Sequence, residues 1–396
     1  MENKEEAIQN LLSRNVEEVI EKNHLTAALS GKKKLRVKHG IDPTGEHIHL
    51  GRAISLWKLK EFQELGHKIV LIIGDFTAQI GDPSDKLGKR PVLTATQIKK
   101  NLINYLPQIG KILDIKKCEV RYNSEWLAKL KPQEIVKLAR IFTAQQMIER
   151  RNFSERWNKH EEIGLDEFIY PLMQGYDSVA AKADVEIGGT DQLFNLLAGR
   201  KIQERYGQKP QDILMVQMLS GTDGRKMSTS WGNVINIADS PTEQYGKILS
   251  AHDEYILEYF RLATNLEENE IENLRTQLTR GENPKIIKER LAFEIASRYH
   301  GKVKAEKARE NFDALFSKHE IPGGIPEFRV GKKELPLLEL VLAAGKLGSK
   351  GEARRLIEQG GVDINGETKK NPNEILSLSN GDTLKIGKKT FLRLRV

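Results

Sequence analysis

The sequence is short of cysteine and of long apolar runs. Its 396 residues include a single cysteine, Cys118, so the chain can form neither an internal disulfide nor a thiolate-rich metal site. The longest strongly apolar run, residues 69–73, is far shorter than the ~20 residues that cross a bilayer. The N-terminus is charged and unlike a secretory signal. These absences exclude disulfide-stapled and membrane-spanning classes and predict a cytoplasmic globular protein.

Charge is in mild excess and is unevenly distributed. The net charge is +8, and residues 331–396 contribute +5 of it, from 13 Lys and Arg against 8 Asp and Glu. A localised basic excess predicts a polyanionic partner for that region. The hydrophobic content of 39% is enough for ordinary cores in two or three domains.

Short apolar segments that suit buried strands alternate with helical patterns through the first half of the chain. The strand candidates are residues 35–41, 69–73, 119–122, 185–187 and 213–217. Such alternation predicts an α/β fold with a Rossmann-like parallel sheet covered by helices. The active crevice is expected at the carboxyl ends of the strands.

Changes of pattern divide the chain into segments. We expect a helical leader at 1–33, a sheet domain at 34–236 with a helical insertion at about 110–162, a helical domain at 237–320, a linker at 321–330 and a small α+β domain at 331–396. The linker is rich in Pro and Gly, which interrupt regular structure. In the last segment, Asn365-Gly366 predicts a tight turn between strands.

Residues 38–52 predict a strand-to-helix turn that suits an anion. Helical apolar spacing starts at Leu50, so a helix beginning near His49 directs free backbone N–H groups and its positive dipole end at the turn. Phosphate commonly binds at such a helix start. Gly51 allows close approach and Arg52 adds positive charge. An ordinary surface turn before a core helix is the alternative interpretation.

A second phosphate-binding candidate is the loop at residues 222–230, which reads Thr-Asp-Gly-Arg-Lys-Met-Ser-Thr-Ser. Adjacent cations and hydroxyls on a glycine-containing loop can close over a polyphosphate and release it. Taken alone, such a loop is more often plain solvated surface.

Together the two candidates resemble the hallmark motifs of class I aminoacyl-tRNA synthetases. The similarity to bacterial tyrosyl-tRNA synthetases extends over nearly the whole chain, in the branch with a C-terminal S4 RNA-binding domain. Its motifs, in order, are GIDPT at 40–44, IGDFT at 73–77, IGDPS at 80–84, YNSEW at 122–126, YPLMQGYDS at 170–178 and GGTDQ at 188–192. Several long motifs in the family order are hard to obtain by chance.

The i, i+4, i+7 spacing of Tyr170, Gln174 and Asp177 lets one helix face present all three side chains to one pocket. A helix with a core Tyr and a solvated Asp is the alternative. The resemblance implies that Asp177 accepts the hydroxyl of a bound tyrosine and that Tyr170, Gln174 and Asp82 hold its ammonium group. Thr77 would line the same pocket. Rejection of phenylalanine by tyrosyl-tRNA synthetases is itself the established example of such hydroxyl selection.

The resemblance also implies attack by the tyrosine carboxylate on the α-phosphorus of ATP, without a covalent enzyme intermediate. The residues expected at the nucleotide are Asp42, Thr44, His49, Gly51, Gly189, Asp191, Lys226 and Thr229, with Lys86 and Arg90 on a basic loop. Thr44 and His49 would contact the polyphosphate, and Lys226 the departing pyrophosphate. Gln192 would lie by the reacting carboxyl group. Mg²⁺ is expected to accompany ATP, with no protein metal site and no tightly bound cofactor.

Four positions depart from the family pattern, and one of them is Asp85, which replaces a common glycine. Arg52 replaces the second histidine of the first motif, and Thr229 replaces the second lysine of the second motif. Lys38 stands where another branch has a tyrosine that contacts the substrate hydroxyl, so we group it with the tyrosine-binding residues. We expect an active enzyme whose contacts to the nucleotide are distributed differently from those of its relatives.

The last segment resembles the S4 fold, through SKGEARRLI at 349–357 and VDING at 362–366. Lys350, Arg354 and Arg355 would give its helix a basic RNA-binding face. The resemblance implies a homodimeric tyrosine–tRNA ligase that uses tyrosine, ATP and tRNA(Tyr), with the helical domain near the anticodon. Two alternatives stay open: a related synthetase for another aromatic amino acid, and a non-catalytic paralogue that binds RNA.

Overall fold

The computed structural model describes residues 2–84, 93–316, 326–344, 349–387 and 390–396. The chain forms two compact units, Met1–Arg309 and Glu310–Val396. Of the described helices, none is both long and apolar enough to span a bilayer.

A six-stranded sheet organises the first unit. In chain order its strands are β1 (Val16–Ile20), β2 (Arg36–Ile41), β3 (Lys68–Ile73), β4 (Glu119–Tyr122), β5 (Val185–Gly189) and β6 (Asp212–Val216). The strand order is β1-β6-β5-β2-β3-β4, and every pairing is parallel except that of β1 with β6. Strands β3, β5 and β6 are almost wholly buried and mostly apolar, as expected for a covered parallel sheet. The predicted α/β class is confirmed.

Helices connect the strands and continue after the sheet. Up to the last strand they are α1 (Glu2–Leu11), α2 (Lys22–Ser30), α3 (Leu50–Glu64), α4 (Ala95–Leu102), α5 (Tyr105–Ile109), α6 (Ser124–Leu127), α7 (Pro132–Ala139), α8 (Ala144–Ile148), α9 (Arg151–Asn158), α10 (Leu165–Ala181) and α11 (Leu193–Arg205). Beyond the sheet follow α12 (Pro241–Leu249), α13 (Ile256–Ala263), α14 (Glu268–Thr279), α15 (Pro284–His300) and α16 (Lys302–Phe316). Helix α15 packs near α3, where Trp57 donates its indole N–H to the Tyr299 hydroxyl at 2.9 Å.

The strand order reverses between β2 and β5, which marks a topological switch point. From β2 the chain proceeds outward through β3 and β4, and from β5 it proceeds the other way to β6. Ligands of open α/β sheets bind beside the carboxyl ends of strands at such a point.

Two sequence predictions within the first unit need correction. Residues 1–33 are not entirely helical, because β1 pairs antiparallel with β6. Its segment, VEEVI, is rich in β-branched side chains and too short for a stable helix, so the open edge of β6 decides its structure. The insertion predicted at about 110–162 also overlaps β4, which belongs to the sheet, so its helices begin only at α6.

The second unit has the expected small α+β composition. Its helices are α17 (Leu337–Ala343) and α18 (Lys350–Glu358), and its strands are β7 (Glu327–Arg329), β8 (Glu334–Pro336), β9 (Val362–Ile364), β10 (Glu367–Lys369), β11 (Ile375–Ser377), β12 (Thr383–Ile386) and β13 (Thr390–Arg395). The β9–β10 hairpin turns at Asn365-Gly366, where both residues have positive φ, as predicted. Strand β7 lies in the predicted linker and pairs with β13, so the predicted linker at 321–330 overlaps a strand of the second unit. The three-residue strands of this unit are too short for the two-residue alternation of a strand to be recognised in the sequence.

Candidate active site

A cavity of about 460 Å³ opens at the carboxyl ends of β2, β3, β5 and β6. Its size suits a small-molecule ligand. The predicted site residues that line it are Asp42, Thr44, His49, Gly51, Arg52, Thr77, Asp82, Tyr170, Gln174, Asp177, Gly189, Asp191, Gln192, Lys226 and Thr229. Asp85, Lys86 and Arg90 lie outside the described residues. The crevice predicted at the carboxyl ends of the strands therefore collects residues that are far apart in the sequence.

The start of α3 forms one wall of the cavity. His49 is the N-cap of α3, and its Nδ1 accepts from the backbone N–H of Arg52 at 3.3 Å. A Cβ added to Gly51 would lie 3.2 Å from His49 Nδ1 and 3.6 Å from Met227 Cβ, so glycine keeps this wall open. The helix start predicted near His49 is confirmed, and its N-terminal dipole end borders the cavity.

Arg52 ties the first motif together. Its guanidinium donates to Thr44 Oγ1 at 2.8 Å and to the Tyr105 hydroxyl at 2.8 Å. A third, longer contact at 3.5 Å reaches the carbonyl oxygen of Asp42. Arginine thus fixes the turn in a way that one imidazole could not, because it supplies several donors in a rigid fork. Tyr105 was not anticipated from the sequence.

The loop of the second motif lies against the turn of the first motif. Lys226 Nζ pairs with Asp191 Oδ2 at 2.8 Å, with side chains 27% and 19% exposed. A Cβ on Gly45 would lie only 3.4 Å from Thr229 Cγ2, which places the loop directly against the turn at Gly45. We call Thr44, Arg52, Asp191, Lys226 and Thr229 the Lys226 group.

Asp42 joins several walls of the cavity. Thr77 Oγ1 donates to its Oδ1 at 2.8 Å, and the Tyr170 hydroxyl donates to its Oδ2 at 2.8 Å. Gly74 is required beside it, since a Cβ there would lie 1.9 Å from Asp42 Oδ1. The end of β2 is thereby connected to β3 and α10.

Asp177 is a buried carboxylate held by two donors. The Trp126 indole N–H donates to Oδ1 at 2.7 Å, and Asn123 Nδ2 donates to Oδ2 at 3.2 Å and to Thr77 Oγ1 at 3.0 Å. Burial raises the pKa of Asp177 to about 7, although the charge of Lys38 and the two hydrogen bonds oppose that rise. We call Asp42, Thr77, Asn123, Trp126 and Asp177 the Asp177 group.

Asn123 and Trp126 were not assigned individually from the sequence. Both follow β4 at the carboxyl edge of the sheet, and polar side chains at that position are the signal that could have found them.

Gln192 joins the loop of Asp82 and Ser84 to helix α11. Its Nε2 donates to Asp82 Oδ2 at 2.7 Å and to Ser84 Oγ at 2.6 Å, while its Oε1 accepts from Asn195 Nδ2 at 3.0 Å. A Cβ on Gly189 would lie 2.6 Å from Asp191 Oδ1, so a side chain there would displace that carboxylate.

Lys38 occupies a different place from the one predicted. It is fully buried and does not line the cavity. Its Nζ donates to Glu186 Oε1 at 2.8 Å, to Ser178 Oγ at 2.8 Å and to the Gln174 carbonyl at 3.1 Å. Lys38 and Glu186 are paired residues of neighbouring strands, so Lys38 lies behind the cavity wall and its partner Glu186 lines the cavity. An acidic residue inside an apolar strand requires such a partner, which was the missed signal.

The described residues include no group of three or more His, Cys, Asp or Glu side chains arranged to hold a metal ion. Cys118 lies apart from the lining residues of the cavity.

In the second unit, Lys350, Arg354 and Arg355 are exposed on α18, whose Ala353 and Ile357 are buried. The basic face predicted for this helix is therefore accessible to a polyanion.

Comparisons with known proteins agree with this site. The model of the class I tRNA synthetases for tryptophan and tyrosine matches residues 30–317, and the S4 domain model matches residues 335–382. Since the first match covers well over half of the chain, the chain belongs to the class I tRNA synthetase family. The fold and family predicted from the sequence are confirmed.

Within that family the chain is similar to tyrosine–tRNA ligases. The tyrosine–tRNA ligase of Thermotoga maritima is 45% identical over 97% of this chain and 96% of its own, and that of Dehalococcoides mccartyi is 45% identical over 99% of both. A crystal structure of the Archaeoglobus fulgidus tyrosyl-tRNA synthetase complexed with L-tyrosine aligns with a TM-score of 0.60 at 26% identity, covering 77% of this chain and 98% of that one. A truncated mitochondrial tyrosyl-tRNA synthetase from Aspergillus nidulans shares the fold, with a TM-score of 0.62 at 19% identity over 80% of this chain and 99% of that one.

Proposed function

We propose that this chain is a tyrosine–tRNA ligase. It activates L-tyrosine with ATP and then transfers the tyrosyl group to the 3′-terminal adenosine of tRNA(Tyr). The observation that carries the choice of amino acid is the buried carboxylate of Asp177, which lines a cavity beside Tyr170 and Gln174. The alignment with a tyrosine-bound relative supports the same choice.

Tyrosine selection follows from hydrogen bonding at Asp177. Its two protein donors leave further lone pairs on a carboxylate, which can accept from a phenol hydroxyl. Phenylalanine would bury that acceptor without a partner, which is costly. Asp82, Tyr170 and Gln174 hold the substrate ammonium group, and Thr77 completes the pocket.

Activation needs positioning and charge stabilisation more than covalent chemistry. The tyrosine carboxylate attacks the α-phosphorus of ATP, the bond from that phosphorus to the bridging oxygen breaks, and pyrophosphate leaves. Lys226 stabilises the charge that develops on the departing oxygens. The start of α3, with Thr44, His49 and Arg52, receives the polyphosphate at its positive dipole end.

The remaining cavity residues bind the other parts of the nucleotide. Gly51 leaves room for adenine, Asp191 and Gly189 hold the ribose, and Asp42 lies near the α-phosphate. Thr229 supports the loop of Lys226, and Gln192 lies by the reacting carboxyl group. Lys86 and Arg90 stay predicted phosphate contacts. Mg²⁺ accompanies ATP as counter-charge on its phosphates, and such binding needs no cage of protein ligands.

Transfer requires the tRNA. Lys350, Arg354 and Arg355 bind its phosphates, and the helices α12–α16 lie near its anticodon. Replacing the three cations with alanine should raise the KM for tRNA in aminoacylation and leave tyrosine-dependent ATP/pyrophosphate exchange unchanged. Equal loss of both activities would contradict this division of labour.

The enzyme acts as a homodimer. Large apolar side chains are exposed in the helical segment after β4, where Val136, Trp157 and Leu165 are 52%, 58% and 79% exposed. A second copy would cover such surface. Sedimentation should give twice the chain mass, and a Leu165→Glu variant should shift toward the monomer. The cytoplasmic location expected from the sequence stays a prediction.

The decisive experiment is ATP/pyrophosphate exchange with tyrosine, tryptophan and phenylalanine in parallel. Exchange with tyrosine far above the other two is the expected result. Preference for tryptophan would support a sister synthetase, and no exchange with any of them would support the non-catalytic RNA-binding paralogue.

A further inference from the structure

Arg150 is a buried cation directly behind the cavity. It lies between α8 and α9 and is 9% exposed. Its guanidinium lies 4.4 Å from the ring centre of Phe194 and 5.0 Å from that of Phe153. Burial lowers its pKa to about 10, so it is still charged at neutral pH. A charge in this position is expensive unless its interactions repay the cost.

The polar contact of Arg150 is with Asn195. Nη2 donates to Asn195 Oδ1 at 3.2 Å, while Nη1 has no hydrogen-bond partner among the described residues. Asn195 is fully buried, and its Nδ2 donates to Gln174 Oε1 at 3.1 Å and to Gln192 Oε1 at 3.0 Å. One asparagine therefore joins the cation to two residues that line the cavity.

The chemistry of the guanidinium fixes the direction of these bonds. Arginine has donors and no acceptor, so the oxygen of Asn195 must face it. The amide N–H groups of Asn195 must then face the oxygens of Gln174 and Gln192. The amide of Gln192 is consequently directed at Asp82, to which it donates at 2.7 Å. Without the cation, the side-chain amides could rotate and present N–H groups where an ammonium group binds.

We propose that Arg150 is a positioning residue for the amino-acid substrate, which acts through Asn195 to orient Gln174 and Gln192. The inference rests on the proposed function, because it assumes that these two residues bind the ammonium and carboxyl ends of an amino acid. Those ends are common to all amino acids, so the role does not depend on the identity of the side chain.

The test is Arg150→Met, which keeps an unbranched apolar stem between the two phenylalanine rings and removes the donor. The KM for tyrosine in ATP/pyrophosphate exchange should rise about tenfold, the effect of losing one hydrogen bond to a charged group. The KM for ATP should stay within about twofold of wild type, because the Lys226 group is untouched. Arg150→Lys, which keeps a charged donor, should recover part of the loss.

Arg151→Met is the matched control. It is the same substitution one residue away, at a side chain that is 89% exposed. Both KM values should remain those of the wild type. A loss of folded protein lowers the active fraction and kcat. The relay from Arg150 through Asn195 to the two glutamines instead predicts a change in the KM for tyrosine only.

Asn195→Asp tests the relay without removing the cation. Aspartate can still accept from Arg150 but offers no N–H to either glutamine, so the KM for tyrosine should rise as in Arg150→Met. The KM for tyrosine of the double variant should be no higher than that of the more impaired single variant, because both substitutions interrupt the same series of hydrogen bonds. This arm also decides the question if Arg150→Met does not fold.

Unchanged KM for tyrosine in Asn195→Asp, multiplicative effects in the double variant, or equal rises for tyrosine and ATP would each overturn the relay. Failure of the proposed function would look different. If the wild type used another amino acid, the same KM comparison with that amino acid would still decide the role of Arg150.

Discussion

The Asp177 group, apart from Trp126, and the Lys226 group line the same cavity, but the two groups are built in opposite ways. In the Asp177 group, Thr77, Asn123 and Asp177 are each no more than 3% exposed and are joined by hydrogen bonds from separate elements. In the Lys226 group, the ion pair of Lys226 and Asp191 is partly exposed and rests on a loop after β6. Buried, mutually satisfied polar groups fix one arrangement, whereas exposed pairs exchange partners at low cost.

This difference matches the two tasks that we propose. Selection of an amino acid requires an acceptor that cannot move to suit the wrong substrate. Charge stabilisation on a leaving group requires cations that can exchange a resting partner for phosphate and later release it. Asp191 acts as that resting partner of Lys226 in this structure.

The largest expected effect would come from breaking the buried framework behind the Asp177 group. Lys38→Met leaves Glu186 buried without its cation, and the free energy of unfolding should fall by about 3–5 kcal/mol. Denaturant titration measures this change. Lys33→Met, at an ion pair whose lysine side chain is 71% exposed, should change stability by no more than about 1 kcal/mol. Equal losses of unfolding free energy in the two variants would show that the buried ion pair contributes no more to stability than the exposed one.

Removing the partly exposed cation of the Lys226 group should chiefly lower the rate. Lys226→Met eliminates charge stabilisation of the leaving group, and kcat for ATP/pyrophosphate exchange should fall about 100- to 1,000-fold. The KM for tyrosine should change little. Arg225→Met is the control, since this neighbouring cation is 57% exposed and pairs with Asp223. A larger effect of Lys226→Met on the KM for tyrosine than on kcat would contradict the proposed division of tasks between the two groups.

Replacing Asp177, the carboxylate that we propose selects tyrosine, should chiefly alter specificity. In Asp177→Asn one oxygen must serve both Trp126 and the substrate hydroxyl, and the new amide N–H groups oppose those of Asn123. The kcat/KM for tyrosine should fall about 10- to 100-fold, the effect of losing a hydrogen bond to a charged group. Activity with phenylalanine should hardly change. Asp166→Asn on the same helix is the control, and a parallel loss for both amino acids would refute hydroxyl selection.

The sequence predicted the backbone of this site better than its side-chain partners. Buried parallel strands are nearly continuous apolar runs, and the start of α3 has a turn and a change of period, so local patterns suffice for both. The partner of Lys38 depends on which strands become neighbours, and Glu186 lies 148 positions away. The same holds for Arg150 and Asn195, whose contact joins the insertion to α11. Periodicity carries no information about such long-range pairs.

Substitution of Arg52 tests whether this departure from the family pattern contributes to the function of the Lys226 group. Arg52→His cannot supply donors to both Thr44 and Tyr105, so kcat/KM for ATP should fall about tenfold in the exchange assay. Tyr105→Phe, which removes one acceptor and leaves the arginine, should have a smaller effect. A several-fold gain in Arg52→His would mean that arginine is only tolerated there.

The smallest expected effect is a pH dependence confined to the Asp177 group. Burial raises the pKa of Asp177 to about 7, so near neutral pH about half of the empty molecules carry a neutral carboxyl group. Only the ionised form offers the full set of acceptors, and the apparent KM for tyrosine varies as the inverse of its fraction. Lowering the pH from about 8 to about 7 should therefore raise that KM about twofold, while raising the pH above 8 should change it little.

Asp177→Asn should abolish this pH dependence, because it removes the titrating group. His39 also lines the cavity, but burial lowers its pKa below the usual range for histidine, so it loses its proton before this window. The KM for ATP, which depends on the Lys226 group, should stay constant over the same interval. A pH dependence that persisted in the variant, or that appeared equally for ATP, would place the titrating group outside the tyrosine pocket.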